Sequence, residues 1–370
     1  MIPQNLPFGL IELYFRDNQI VKLPSNLPTS IQTLNCSNNK IKKLNFLAYL
    51  TSLERLDCSG NELTDSSLLD IPSSLKTLDC SNNQIKKLPS NLPSSLLLLF
   101  CGNNKITNLP LSLPSSLQML HFQNNLISEF DSSNLPVSLD SLDCSNNKIK
   151  KLPSNLPFYL KYLYCGNNRL KNLPDDLPNS IVVLSYSNNK IKSFPSKFPS
   201  SLEYLYCNHN GIEQLYPSGP SILPNSLKKL FCRKNQIIQL PSNLPNSIYE
   251  LDCSYNKIVN LPSKLPNSLY EFDCSNNHLI YFPVKLPKSL YRLNCSGNKY
   301  LYLSKENAER FELSETPNYN KKAETIQKFW KIWKTKEKLR KMIKDGNNVL
   351  SNSFRCYGDL NIVNLIALYL

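Results

Sequence analysis

The chain has 370 residues, with 9 glycines, 26 prolines, 12 cysteines and a formal charge of +14. Scarce glycine and periodic proline exclude a flexible, glycine-rich linker protein. The positive balance admits acidic partners of any kind, whether nucleic acid, membrane surface or protein, and selects none of them.

At the N-terminus, Met1-Ile2-Pro3-Gln4-Asn5 lacks the basic region and apolar run of a secretory signal. Near the C-terminus the longest apolar run, Ile362 to Leu370, is broken by Asn364 and falls far short of the ~20 residues of a membrane span. The expected localisation is cytoplasmic.

From Leu10 onward the chain repeats itself. Fourteen copies of L-x-x-L-x-C-x-x-N-x-I begin at Leu10, Ile31, Leu53, Leu75, Leu96, Leu117, Leu139, Leu160, Ile181, Leu202, Leu227, Ile248, Leu269 and Leu290. Their spacing is 21 or 22 residues, with one step of 25. The alternation at L-x-C is the period of a strand with one buried face. If each strand pairs with its copy one turn on, about 4.8 Å away, the copies form an arc roughly 60 Å long. The recurrent Asn, as in Asn18, Asn39, Asn61 and Asn83, ends each strand. Its amide is suited to backbone groups that the turn leaves unpaired. Prolines in the return segments fix φ and forbid helix, so the outer side should be extended. Repeat 2, with Leu44-Asn45-Phe46-Leu47-Ala48-Tyr49-Leu50, has no proline there and is expected to turn helically. The 25-residue step carries an inserted Tyr216-Pro217-Ser218-Gly219-Pro220.

This pattern resembles the leucine-rich repeat. Its linking half, as in Leu88-Pro89-Ser90-Asn91-Leu92-Pro93-Ser94-Ser95, resembles the short L-P-x-x-L-P subtype of bacterial effectors and of repeat proteins from amoeba-infecting giant viruses. The resemblance covers residues 1 to about 303. The fold class expected is an α/β-type repeat solenoid. It is a leucine-rich-repeat horseshoe with a parallel concave sheet, a mostly extended, polyproline-like convex side and short C-terminal helices. The expected domains are residues 1–303 (solenoid), 304–346 (basic helical tail) and 347–370 (short C-terminal segment).

Eleven cysteines fall at one position of the repeat: Cys36, Cys58, Cys80, Cys101, Cys144, Cys165, Cys207, Cys232, Cys253, Cys274 and Cys295. Stacked repeats would line them up as a ladder of small hydrophobes, at home where thiols stay reduced. A metal site needs ligands converging at tight spacing, which one cysteine per repeat does not offer. No cofactor is expected. The three histidines, His121, His209 and His278, sit in different repeats with no nucleophile or carboxylate pair beside them, and Cys356 stands alone after Arg355. The chain is therefore read as no enzyme.

Residues either side of the second Leu should point to the concave face, the usual binding surface of a solenoid. There Leu98, Phe100, Met119, His121, Tyr162, Tyr164, Val183, Tyr204, Tyr206 and Phe231 form an exposed aromatic and apolar patch over repeats 5 to 11, flanked by aspartates. Such a patch is the expected site of a host or self protein partner. A second feature is a lysine stripe along the strand edges: Lys40, Lys42, Lys43, Lys86, Lys87, Lys148, Lys150, Lys151, Lys171, Lys190 and Lys192. It reads as a solvated flank or as an anion-binding edge for nucleic acid or membrane.

After Lys299 the repeat fades. Ser304 to Phe311 reads as a short helix that closes the array, and Thr316-Pro317 as a break. Lys321 to Lys344 holds 10 Lys+Arg against 2 Glu, uninterrupted by Gly or Pro. Within it, Ile326, Gln327, Lys331, Lys336 and Leu339 match the apolar, Gln and basic positions of an IQ motif, which the stretch resembles. That resemblance implies a calmodulin-like EF-hand partner, with Trp330 and Trp333 as anchors. Ile332 stands where the motif carries Gly, so the calcium-loaded form should bind better. Two opposed apolar stripes suit a helix gripped from both sides. A capping helix on the last repeat and a membrane-surface helix are the other readings of the same stretch.

Overall fold

The computed structural model describes residues 6–311, apart from 45, 46, 69, 216–222, 284 and 300. The chain divides into two units, Met1–Phe311 and Glu312–Leu370. The second unit, with the IQ-like stretch and Cys356, lies outside the described residues, as does the inserted turn at 216–220.

Each repeat contributes one three-residue strand. The strands are β1 (Glu12–Tyr14), β2 (Thr33–Asn35), β3 (Arg55–Asp57), β4 (Thr77–Asp79), β5 (Leu98–Phe100), β6 (Met119–His121) and β7 (Ser141–Asp143). They continue as β8 (Tyr162–Tyr164), β9 (Val183–Ser185), β10 (Tyr204–Tyr206), β11 (Lys229–Phe231), β12 (Glu250–Asp252), β13 (Glu271–Asp273) and β14 (Arg292–Asn294). All fourteen pair in parallel in strict sequence order, β1 to β14. The register never slips: Leu34, Leu56, Leu78 and Leu99 face one another turn after turn. A one-residue slip would expel these leucines from the core, so burial itself fixes the register.

The core is a stack of identical layers. The motif's first Leu, second Leu, Cys and Ile are almost all fully buried, as in Leu75, Leu78, Cys80 and Ile85. Where Cys is absent, Phe15, Phe122 and Tyr186 take its place; Phe122 and Tyr186 are buried as completely, and Phe15, in the first repeat, is half-buried.

The motif Asn closes each layer. Asn61 Nδ2 donates to Cys36 O, Cys58 O and Ser59 O at 3.0–3.1 Å, and its Oδ1 accepts from Ile41 N–H at 2.9 Å. The same pattern recurs at Asn83, Asn104, Asn147 and Asn256. One side chain thus satisfies donors and acceptors of two successive turns, which solves the problem of buried backbone in a loop. On the return side, serines such as Ser95 and Ser289 donate to two carbonyls of the turn before.

Among the described residues the extended return side is interrupted by three 3₁₀ turns: Leu47–Tyr49, Asp65–Leu68 and Ser132–Asn134. They fall in the three 22-residue repeats, where one extra residue must be taken up. The turn in repeat 2 is the one expected from its lack of proline. The turn at Ser132 is started by Asp131, whose carboxylate accepts from Ser133 N–H at 3.1 Å.

After the last strand the described residues hold one short helix, α1 (Lys305–Arg310), with Ser304 as N-cap. Arg310 Nη2 donates to Lys288 O at 3.2 Å and Leu290 O at 2.8 Å. These are the equivalents of the carbonyls that Ser289 holds one turn earlier, Asn267 O and Leu269 O. Arg310 therefore does for the last turn what the serine of a fifteenth repeat would have done.

Candidate functional site: the concave sheet

A three-residue strand with its middle residue buried must turn the outer two to the opposite face. The paired register lines these up in two columns. One runs Leu98, Met119, Ser141, Tyr162, Val183, Tyr204, Lys229. The other runs Phe100, His121, Asp143, Tyr164, Ser185, Tyr206, Phe231. All ten concave residues singled out from the sequence lie in these columns.

They are not freely exposed, however, and that expectation is corrected. All ten are half-buried. Strands about 4.8 Å apart bring each side chain into contact with the next, so a column shields itself. Tyr206 stacks on Phe231 with centroids 5.1 Å apart and planes at 10°. Phe100 meets His121 edge-on at 5.2 Å. His121 Nε2 lies 2.9 Å from Ser141 Oγ. Burial lowers the His121 pKa, against the opposing pull of Asp143, so the ring is neutral at pH 7. Burial likewise raises the Tyr164 and Tyr206 phenols, which stay protonated. The ten residues thus form a pre-ordered, uncharged surface, broken in the two columns by Ser141, Asp143, Ser185 and Lys229.

The flanking aspartates have a local task. Asp57, Asp143 and Asp252 each accept from the N–H and the hydroxyl of the serine two residues on, Ser59, Ser145 and Ser254. Asn35 and Asn294 do the same for Ser37 and Ser296. These carboxylates fix the loop that follows the strand, in the manner of an Asx turn. Charges in the neighbouring column largely cancel: Lys229 pairs with Glu250 and Arg292 with Glu271.

The loop after each strand holds a feature that the sequence reading missed. The residue two after the Cys position adopts positive φ in every repeat, from Asp17 and Asn38 to Asn276 and Gly297. Eleven of the fourteen are Asn, Asp or Gly, the residues that tolerate this conformation. The first Asn of the recurrent Ser-Asn-Asn was the available signal.

The eleven repeat cysteines are free and buried. Burial pushes Cys36, Cys101 and Cys207 up to about 12. Such thiols are neutral core atoms and poor nucleophiles. Among the described residues no group of three or more His, Cys, Asp or Glu is placed to hold a metal ion. None of their helices is long and apolar enough to cross a membrane. The eleven lysines of the stripe are all exposed, and Lys42 pairs with Glu62 at 3.6 Å.

Family profiles for leucine-rich repeats match residues 29–71 and 74–96. A sequence search of curated proteins returned no match. Among solved structures, the chain is similar to YopM, a leucine-rich effector protein from Yersinia pestis, with 33% identity and a TM-score of 0.66. That match covers 79% of this chain and 84% of the other. YopM from Yersinia enterocolitica matches at 31% identity and a TM-score of 0.63, over 80% of this chain and 70% of that one. The functional domain of InlJ from Listeria monocytogenes, described as including a cysteine ladder, matches at 25% identity and a TM-score of 0.61, over 74% and 65%.

Proposed function

Since the chain belongs to the leucine-rich-repeat family, we propose that it is a non-catalytic scaffold that binds a protein partner along its concave sheet. The observation that carries this reading is the pre-ordered aromatic column of repeats 5 to 11, with Tyr206 stacked on Phe231. Stacked, half-buried aromatics have already lost their rotamer freedom, so a partner that covers them gains apolar burial at little further entropic cost. Tyrosine is also among the residues that dominate interface energetics. Leucine-rich-repeat proteins are interaction modules as a class, and one of the similar structures is an effector protein. The reduced cysteine ladder favours a cytoplasmic setting.

The test is capture from cell extract by the full chain, wild type against Tyr164→Ala/Tyr206→Ala. Loss of each anchor should cost about 1–2 kcal/mol, so the double variant should retain a few per cent of the affinity at most. Equal capture by both forms overturns the reading. In the same proposal the stretch Lys321–Lys344 binds an EF-hand protein of the calmodulin type, on the strength of its IQ-like residues. Titrating that peptide with calcium-loaded calmodulin should shift Trp330 and Trp333 fluorescence to the blue; no shift at micromolar calmodulin removes this part. Use of the lysine edge on an anionic surface is the competing reading. It predicts that capture survives the tyrosine variant and falls when Lys86, Lys87, Lys150 and Lys151 become Gln.

A further inference from the structure

Three consecutive repeats break the turn rule. Where eleven repeats carry Asn, Asp or Gly at positive φ, repeats 10, 11 and 12 carry His209 (φ 52°), Lys234 (φ 52°) and Tyr255 (φ 54°). Histidine tolerates the left-handed region better than most residues, but lysine is uncommon there, and for a ring as bulky as tyrosine it is a genuine outlier. The same loop gains Arg233, in a column otherwise held mainly by Ser and Gly. Nothing in the stacking of the repeats calls for these four side chains, because the neighbouring turns close with Asn188 and Asn276 in the same conformation.

The four form one exposed crest. Arg233 Cζ sits 4.6 Å from the centroid of the Tyr255 ring, and Lys234 Nζ 5.6 Å from it. His209, Lys234 and Tyr255 are exposed, and Arg233 is half-buried. Among the described residues no carboxylate forms an ion pair with Arg233 or Lys234. The crest adjoins the aromatic patch, since Arg233 lies two residues beyond Phe231 in the chain. Backbone strain held in place by its surroundings, and gathered in one spot, is the mark of a site kept for use.

We propose that this crest is the specificity-determining rim of the concave site, and that it takes an acidic segment of the protein partner. Glu or Asp carboxylates of that segment sit between Arg233 and Lys234, beside the Tyr255 ring, while its apolar residues continue onto Phe231 and Tyr206. The inference rests on the protein-binding reading above. A protein segment fits better than nucleic acid because the two cations, Arg233 and Lys234, are neighbours in one turn of a crest that spans only three turns, roughly 10 Å of strand spacing, too short for a phosphate track.

The test uses the full chain and two peptides of twelve residues, one alternating Glu and Gly around a central Phe, the other its Gln twin. The crest variant is His209→Asn/Arg233→Ser/Lys234→Asn/Tyr255→Asn, which restores the residues of the other repeats. A charge-matched control is Lys86→Gln/Lys87→Gln on the lysine flank. The crest variant should unfold at a higher temperature than wild type, because strain is relieved, and yet bind the Glu peptide at least fivefold more weakly. The control should bind it within twofold of wild type, and carbodiimide coupling should join the Glu peptide to Lys234 in preference to flank lysines. Equal affinity of the two variants overturns the proposal, as does coupling that skips Lys234 or a crest variant less stable than wild type. If the crest variant is inert but Tyr164→Ala/Tyr206→Ala still loses captured protein, the concave reading stands and the rim falls. If neither change affects binding, both fall.

Discussion

Replacing Asn147 by Ala tests the device on which every turn of the solenoid depends. Its Oδ1 accepts from the buried Ile127 N–H at 3.0 Å. Its Nδ2 donates to Phe122 O at 3.1 Å, Cys144 O at 3.2 Å and Ser145 O at 3.1 Å. Truncation leaves these carbonyls one partner each, because Asn125 still holds Phe122 O, Asn168 still holds Cys144 O and Asn124 N–H still reaches Ser145 O. The Ile127 N–H is left with none, at a cost of ~1–3 kcal/mol, and the three weakened carbonyls add roughly 0.5–1 kcal/mol each. The sum is about 2.5–6 kcal/mol. Spread over an unfolding entropy of ~2.1 cal/mol/K per residue for about 300 residues, it lowers the melting temperature by about 4–10 °C. Circular dichroism at 218 nm reads this directly. Asn147→Asp keeps the volume and the acceptor but turns an oxygen toward three carbonyls, so it should be at least as damaging. A loss below about 1 kcal/mol in the Ala variant, or an Asp variant as stable as wild type, refutes the reasoning.

Other outcomes follow from single features. The buried Tyr186 hydroxyl has at best the Cys207 thiol, a weak hydrogen-bonding group, as its partner. Tyr186→Phe should therefore stabilise the chain by about 1 kcal/mol in a denaturant titration, Phe122 already filling the same place three repeats earlier. With Cys36, Cys101 and Cys207 pushed up to about 12 by burial, the folded chain holds protons that the unfolded chain releases from ~pH 8.5. Stability is thus complete below that pH and falls as pH rises toward 12, by ~1.4 kcal/mol per unit for each such thiol. An alkaline unfolding transition should appear in circular dichroism between roughly pH 9 and 11, and an array still folded at pH 12 contradicts this. Arg310→Ala should fray the final turn, seen as faster hydrogen exchange of the Tyr291 and Arg292 amides, which donate to Tyr270 O, while exchange in the central repeats stays unchanged.

Much of the fold was legible because a solenoid writes each interaction fourteen times. The L-x-C alternation specified the strands, the invariant Asn specified the ladder, and the missing proline after Leu44 specified a helical return. The candidate site was legible only in outline. Column membership followed from period two, so Tyr164 and Tyr206 could be placed on the concave face. How far neighbours shield them could not, because this depends on contacts 21 residues away. Asp57 and Asp252 looked like features of a binding surface, and they prove to be loop caps because a serine follows at the right offset. Arg310 gave no signal at all: it stands in for a serine from the far end of a helix, a relation that exists only in space.

The most direct test of the concave sheet as the working surface is hydroxyl-radical footprinting of the full chain with and without its captured partner. Oxidation of Tyr164, Tyr204, Tyr206 and Phe231 should fall several-fold in the complex, while Tyr49 and Phe158, which are 70% and 71% exposed, should react as in the free chain. Protection of Tyr49 and Phe158 with the concave tyrosines unchanged would contradict the account.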